Sequence, residues 1–357
     1  MKLSIGIVGL PNVGKSTLFQ ALTKKQVDRS NYPFCTIDPN VGVVEVKDER
    51  IDKIAELTGA KNKIYATVEF VDIAGLAKDA HKGEGLGNKF LAEIRETTAI
   101  VYVLRAFRDK QVVNTHSGIN ALEEKEILDT EMILKDLEAV EKIIKGLEKQ
   151  VKNDKQAQKE LDILKRAEKI LQQGTILFDA NLEKEEETII NNYQLLTIKP
   201  RIYLLNGHDQ EISQEIIEIF KKNNWPYLII DVLDELEGAE FSAQERVSLG
   251  LPFELELNQL ITESYKLLDL ITFFTMAKQD EVRAWALIKG KTASQAGGTV
   301  HGDFEDYFIK AEVINWQDLV YAGSLAVAKE KGIVRAEGRE YIVQDGDIVE
   351  IKSSKRG

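Results

Sequence analysis

Cysteine is almost absent from this chain of 357 residues. The single thiol, Cys35, excludes any internal disulfide and points to a reducing cytosol, and it reads as a small buried or loop residue rather than a nucleophile. Long apolar runs are missing too. No stretch approaches the roughly 18 residues needed to cross a bilayer, so no membrane association is expected. Met1 to Leu10 superficially suggests a signal peptide, but the run ends at a glycine-rich loop and lacks a small-residue cleavage site, so it reads as a first strand. Positive charge is also short: 47 Lys and Arg against 59 Asp and Glu leave a formal charge of −12, which argues against sequence-blind adhesion to nucleic acid. The deficit is uneven. Residues 121–195 hold 12 basic against 18 acidic groups and residues 274–357 hold 12 against 13, so contact with a nucleic-acid-rich partner comes more easily through the carboxyl-terminal segment. The length suits two or three domains, and 43% hydrophobic content is that of a globular protein.

What is present begins with Gly9-Leu-Pro-Asn-Val-Gly-Lys-Ser16-Thr17, a complete G-x-x-x-x-G-K-[ST] pattern after the apolar run Leu3 to Val8 and before a helical stripe from Thr17 to Thr23. Strand, glycine-rich loop and helix form a phosphate cradle in that order. Backbone N–H groups from Asn12, Val13, Gly14, Lys15, Ser16 and Thr17 surround the anion, Lys15 reaches the β- and γ-phosphates, and the Ser16 hydroxyl is a ligand for Mg²⁺. A nucleoside triphosphate site is expected.

Further pieces follow in order. Val68 to Gly75 reads as a strand ending in D-x-x-G, with Asp72 holding Mg²⁺ through a water and the Gly75 amide sensing the γ-phosphate. Thr36 is placed to add a hydroxyl to the metal when triphosphate is bound, and hydrolysis would then reorder the loops. Leu76 stands where many switch GTPases carry a water-orienting Gln, so turnover should be slow and the help must come from elsewhere. Three candidates stay open: His116 positioning water, Asn12 helping to hold a monovalent cation such as K⁺ against the phosphates, or a group donated by a partner. The glycine-rich Lys78 to Lys89 reads as a switch. Leu204-Leu-Asn206-Gly-His-Asp209 is the candidate base site, with Asn206 and Asp209 as in N-K-x-D but Gly207 in place of lysine.

Along the chain, β-type runs at Ser4 to Val8, Ile64 to Asp72 and Ala99 to Arg105 alternate with helical patterns, as in an α/β fold. Leu122, Ile127, Leu128, Leu134, Leu137, Ile144, Leu147 and Val151 then form one helical stripe. Leu161, Leu164, Ala167 and Leu171 form a second, and the polar Lys152 to Gln156 lies between. This predicts an antiparallel helical (coiled-coil) arm over 121–195, inserted into a P-loop domain of residues 1–120 and 196–270. Strands are expected at Pro200 to Leu205 and Trp225 to Asp231, with a closing helix within 251–270. From Ile271, short β runs at 271–274, 283–288, 308–313, 333–334, 340–343 and 348–351, punctuated by glycine, indicate a small α+β domain over 271–357.

The chain resembles the YchF family of P-loop NTPases, within the Obg-related class. The likeness rests on Gly9 to Thr17, Asn31 to Thr36, Asp72 to Leu76 running into His81 to Phe90, the inserted arm, and Val282 to Trp285, His301 to Phe304 and Tyr341 to Asp347. The resemblance implies a G domain with a helical arm and a terminal TGS domain of β-grasp type. It also implies a hydrolase that often prefers ATP to GTP, associates with ribosomes, and carries an apolar residue at the usual Gln position. Two positions depart from the family pattern: Asp209 replaces the glutamate of N-x-x-E, and His116 lies one place from the usual spacing of the catalytic histidine.

The expected function is a cytoplasmic, Mg²⁺-dependent ATPase switch that binds the ribosome. The alternatives are a translation GTPase of the same architecture and an RNA- or ribosome-binding module whose nucleotide is structural. A small-molecule kinase fits least, since no Arg-rich lid is evident.

Overall fold

The computed structural model describes residues 3–24, 39–73, 88–107, 120–151, 154–277 and 280–354. They fall into two compact units, one made of described residues within 1–24, 36–42 and 69–257, the other of those within 43–68 and 258–357. In chain order the elements begin with β1 (Ser4–Val8), α1 (Lys15–Lys24), β2 (Val41–Val46), α2 (Glu49–Thr58), β3 (Asn62–Ile64), β4 (Ala66–Asp72), α3 (Asn88–Glu96) and β5 (Ala99–Arg105). Then come α4 (Ala121–Leu147), α5 (Lys155–Gln172), α6 (Lys184–Asn191), β6 (Arg201–Asn206), α7 (Gln214–Lys222), β7 (Tyr227–Ile230), α8 (Val232–Gly238), α9 (Ala243–Ser248) and α10 (Leu257–Leu267).

The first sheet has the order β2-β4-β1-β5-β6-β7. β1 pairs in parallel with β4 and β5, β5 with β6, and β6 with β7. Every residue of β1, β5 and β6 is buried, as strands covered on both faces require. The strands at Ser4–Val8 and Ala99–Arg105 lie where the sequence puts them. The single strand expected from Ile64 to Asp72 is two: β3 pairs with a strand of the other sheet, and after Tyr65 the chain enters β4.

The inserted helices make their own core. Asn120 caps α4 and Asp154 caps α5, each side chain accepting from the first exposed N–H groups. Val140, Ile144, Leu161, Leu164, Leu171 and Ile190 pack together between α4, α5 and α6. Leu134, expected on the buried stripe, is 54% exposed, and Met132 and Ile133 face inward instead.

This insert is fastened to the sheet by buried polar groups. Arg201, fully buried on β6, donates to the Tyr102 hydroxyl at 2.8 Å and to Asp129 of α4 at 3.2 Å, and to the carbonyls of Leu196 and Thr197. Asp129 also accepts from Lys125 at 2.7 Å, and the Lys125 ammonium lies 3.7 Å from the centre of the Trp225 ring. Two turns further along, Asp136 accepts from the Leu196 and Thr197 N–H groups and the Thr197 hydroxyl.

The second unit continues with β8 (Leu270–Ala277), β9 (Glu281–Ile288), α11 (Ala293–Val300), α12 (Gly302–Asp306), β10 (Phe308–Asn315), α13 (Trp316–Ala322), α14 (Leu325–Glu330), β11 (Arg335–Glu337) and β12 (Asp347–Ser353). Its sheet is mixed, with the order β11-β10-β12-β8-β9-β3. β8 with β9 and β10 with β12 are antiparallel, whereas β12 runs parallel to β8. Phe273, Leu287, Ala296, Ala311, Val313 and Val349 form the core, and Trp285 stacks on Phe273. The strand expected at 340–343 is only an isolated bridge between Ile342 and Thr292, and that expected at 333–334 begins at Arg335.

Candidate nucleotide-binding site

The loop leaving β1 has the backbone that a phosphate cradle needs. Asn12 adopts a left-handed conformation (φ +67°), which its short polar side chain tolerates, and Gly14 follows at φ +102°. Such a sequence of turns aims consecutive N–H groups into one concavity. α1 then starts at Lys15 with no acidic residue in its first turn, so its unpaired N–H groups and dipole favour an anion. Gly14 admits no side chain: a Cβ there would lie 2.3 Å from the Asn206 amide nitrogen.

Lys15 is buried, and its ammonium donates to the Leu10 carbonyl at 2.6 Å. Burial lowers its pKa from 10.5 to about 8, against the opposing pull of Asp72 and Glu124. Asp72 ends β4 directly beside β1, opposite Ile7, and is itself buried. Ser16 is exposed on the first turn of α1, and Thr17 is half-buried behind it. The exposed hydroxyl and the buried carboxylate are hard oxygen donors of the kind Mg²⁺ prefers, so the donor set fits that ion. Thr36, Gly75, Leu76 and His116 lie outside the described residues.

Asn206 closes β6 and ties three segments together. Its amide nitrogen donates to the Val13 carbonyl at 2.8 Å, and its oxygen accepts from the Val232 N–H at the start of α8 at 3.0 Å. One amide proton and one lone pair remain for a ligand. Asp209 is exposed in the turn that follows. Beside it, the His208 ring lies 3.7 Å from Asp231 and 3.8 Å from Asp234.

Gly207 explains the missing lysine. It sits at φ +151°, and a Cβ would meet the Phe107 nitrogen at 2.8 Å and the Ala106 carbonyl carbon at 3.1 Å. Both of those residues donate their N–H groups to the Asn206 carbonyl, so the 106–107 backbone is pinned against the turn. Gly207→Lys is therefore expected to destabilise the fold by about 2 kcal/mol or more and to bring no gain in GTP affinity. Urea denaturation and nucleotide titration of the variant check both halves.

Two residues near the site went unnoticed in the sequence. Glu124, in the first turn of α4, accepts from the Arg105 N–H at 2.8 Å at the end of β5. Arg105 in turn lies over the Phe107 ring, 4.5 Å from its centre. Burial raises the Glu124 carboxyl from 4.5 to about 7, although the Arg105 N–H and the charges of Arg105 and Lys15 oppose it. The folded protein thus keeps a proton that the unfolded chain releases, and stability falls as pH rises from about 4.5 to about 7. Glu124→Gln should remove a penalty on the order of 2 kcal/mol at pH 8 and leave pH 4 nearly unchanged. Urea midpoints at the two pH values measure the difference.

A glycine-rich turn into a helix, a lysine folded into that turn, a carboxylate on the adjacent strand and an asparagine bracing the loop together define a P-loop nucleoside triphosphatase. Residues 4–207 match the family described as "50S ribosome-binding GTPase", and residues 270–354 match the YchF-GTPase C-terminal family, described as "Protein of unknown function (DUF933)". The chain belongs to the YchF family. It is 42% identical to "Ribosome-binding ATPase YchF" of Bacillus subtilis, with 99% of each chain covered, and 42% identical to the Escherichia coli O157:H7 protein of the same name over 98% of each. The solved structure of the Schizosaccharomyces pombe YchF GTPase superposes with a TM-score of 0.88 at 34% identity, covering 98% of both chains. Its P-loop domain, helical insert and carboxyl-terminal mixed sheet are those expected from the sequence. Among the described residues no helix is long and apolar enough to cross a membrane.

Proposed function

We propose that this protein hydrolyses ATP in preference to GTP in the cytoplasm and uses the nucleotide state to control binding to the ribosome. The observation that carries the reading is the loop from Gly9 to Thr17, with Lys15 buried in it and Asp72 alongside, in a chain alike end to end to proteins named ribosome-binding ATPases. The amides of residues 13–17 bind the polyphosphate, and the Lys15 ammonium meets the β- and γ-phosphates. Ser16, Asp72 and Thr36 would hold Mg²⁺, which would neutralise phosphate charge when bound. Water attacks the γ-phosphorus, the bond to the β–γ bridging oxygen breaks, and ADP and phosphate leave. Gly75 senses the γ-phosphate, and His116, or K⁺ held near Asn12, serves in place of the absent Gln.

Asn206, Gly207 and Asp209 form the base site. Without a lysine stem at 207 one wall of a guanine pocket is missing, which favours adenine. Asp209 favours the second reading, a GTPase, because its carboxylate suits guanine N1 and N2, and the Schizosaccharomyces pombe relative is named a GTPase. Division into a P-loop domain (1–120 and 196–270), an arm (121–195) and a β-grasp domain (271–357) gives two surfaces for the ribosome, of which the last carries the weaker negative charge.

Calorimetric titration with ATP and GTP in Mg²⁺, followed by ribosome co-sedimentation with each nucleotide, tests the proposal. Tighter binding of ATP, and sedimentation that changes with nucleotide, are expected. Tighter binding of GTP would establish the second reading, and sedimentation indifferent to nucleotide would reduce the P-loop to a structural element.

A further inference from the structure

The corner occupied by Asn206 is shared with the start of α8. β6 and β7 run in parallel with Asn206 opposite Ile230, so Gly207 and Asp231 leave the sheet side by side. The Gly207 N–H donates to the Ile230 carbonyl at 3.2 Å and holds the two exits together. α8 begins at Val232, which packs on the phosphate loop: a Cβ on Gly14 would lie 3.1 Å from Val232 Cγ2.

The two purines differ most sharply at the 6-position. Adenine carries an amino group there, a donor, and guanine a carbonyl oxygen, an acceptor. The first N–H groups of a helix have no partner within it and are a ready supply of donors for such an oxygen. In α8 they are all taken. Val232 donates to the Asn206 side-chain oxygen at 3.0 Å, Leu233 to Asp231 Oδ1 at 2.9 Å and Asp234 to the same oxygen at 3.0 Å. Glu235 donates to the Asp231 carbonyl at 3.1 Å.

The start of α8 therefore offers an acceptor in place of donors. Among the described residues Asp231 Oδ2 accepts no hydrogen bond, since the His208 ring nitrogen 3.7 Å away lies beyond hydrogen-bond reach. The side chain is 16% exposed, so this oxygen is open from one side. Capping does not require it. One oxygen closes the helix, and Ser or Asn would serve as well, so neither the second oxygen nor the charge is explained by the fold.

We infer that Asp231 sets the choice of base: Oδ2 accepts from the 6-amino group of adenine and, as a fixed negative acceptor, repels the 6-carbonyl oxygen of guanine. This role rests on the base site proposed above. Asp209 suits guanine at N1 and N2, whereas Asp231 acts at the 6-position.

Calorimetric titration of the full chain in Mg²⁺ with ATP, inosine triphosphate and purine riboside triphosphate tests this. The three bases carry an amino group, a carbonyl and a hydrogen at the 6-position, and none has the 2-amino group. The unaltered chain should bind ATP about tenfold more tightly than purine riboside triphosphate, the ordinary worth of a hydrogen bond to a charged group, and inosine triphosphate least tightly. Asp231→Asn keeps the capping oxygen, because only oxygen can take the two N–H groups, and puts an NH₂ donor in place of Oδ2. The ratio of ATP to inosine triphosphate affinity should fall by about tenfold or more in this variant. Purine riboside triphosphate should bind as before, which reports an intact fold and phosphate loop. Asp231→Ser, a cap with no second oxygen, should bring ATP and purine riboside triphosphate to equal affinity. Equal affinity of those two nucleotides in the unaltered chain, or a ratio of ATP to inosine triphosphate unchanged in both variants, would overturn the role of Asp231 and leave a preference for ATP standing. Tighter binding of GTP than of ATP by the unaltered chain would overturn that preference, and the role of Asp231 with it.

Discussion

Replacing Lys15 with alanine is expected to cut ATP turnover by at least about a thousandfold, the usual cost of removing a preorganised charge from a phosphoryl-transfer site. The ammonium is the only cationic side chain in the loop from Gly9 to Thr17. It is buried, yet at neutral pH it stays largely protonated, because its pKa is lowered only to about 8. A polyphosphate entering the cradle raises that value again, so binding and full charging of the lysine support each other. Lys15→Arg is not expected to restore activity. A planar guanidinium is wider than the slot in which the lysine lies, and it cannot act as a compact point charge there. Phosphate release assays and calorimetry on both variants check the expectation, and turnover near that of the unaltered chain would remove Lys15 from the proposed mechanism. Ribosome co-sedimentation of Lys15→Ala adds a second readout, since a switch loses its nucleotide dependence whereas a nucleotide-independent adhesion site does not.

The largest effect on stability is expected at Arg201. Arg201→Ala should cost about 3–5 kcal/mol, the range for removing one partner from a buried charged network. The guanidinium is fully buried and donates to the Tyr102 hydroxyl, Asp129 and the carbonyls of Leu196, Thr197 and Lys199. Its removal leaves those acceptors in a dry space and Asp129 with Lys125 as its one cationic partner among the described residues. The loss comes mainly from stranded partners, so removing them together should recover much of it. The triple replacement Arg201→Met, Asp129→Leu, Lys125→Met is expected to regain more than half of the lost stability. Urea denaturation followed by tryptophan fluorescence suits the comparison, because the Lys125 ammonium lies against the Trp225 ring. A loss below about 1 kcal/mol in Arg201→Ala would mean that water replaces the guanidinium.

Much of the fold was legible where local pattern and tertiary role coincide. The apolar runs of β1 and β5 are buried on both faces, and no competing period obscures them. Val41–Val46 is not among the strands expected, because Gly42 and Glu45 break its apolar run and its place at the sheet edge depends on pairing with the distant β4. The division at Tyr65 was not legible, since sheet membership depends on which distant strand accepts the hydrogen bonds of β3. Leu134 was misplaced for a related reason: in a helix packed on two sides, by its partners and by the sheet, neighbouring positions compete for the interior. At the site, the phosphate loop and Asp72 could be named because their spacing is dictated by ligand chemistry. Glu124 could not, for it stands among other acidic residues that read as a solvated helix face, and only the approach of the Arg105 N–H sets it apart. The glycine at 207 was visible as a departure, but its cause lies in backbone contacts from residues 106 and 107.

The fastening of α4 bears on how a small event at the loop becomes a large one elsewhere. Asp129 and Asp136 fix the helix, from its first turns to its middle, to the centre of β5 and the approach to β6, so it tilts with the sheet instead of swinging freely. A helix of 27 residues is about 40 Å long, and a rotation of about 5° at its fixed root carries its far end roughly 3 Å. The nucleotide domain is thereby furnished with a pointer, and whatever touches its tip feels an amplified copy of the strand movement.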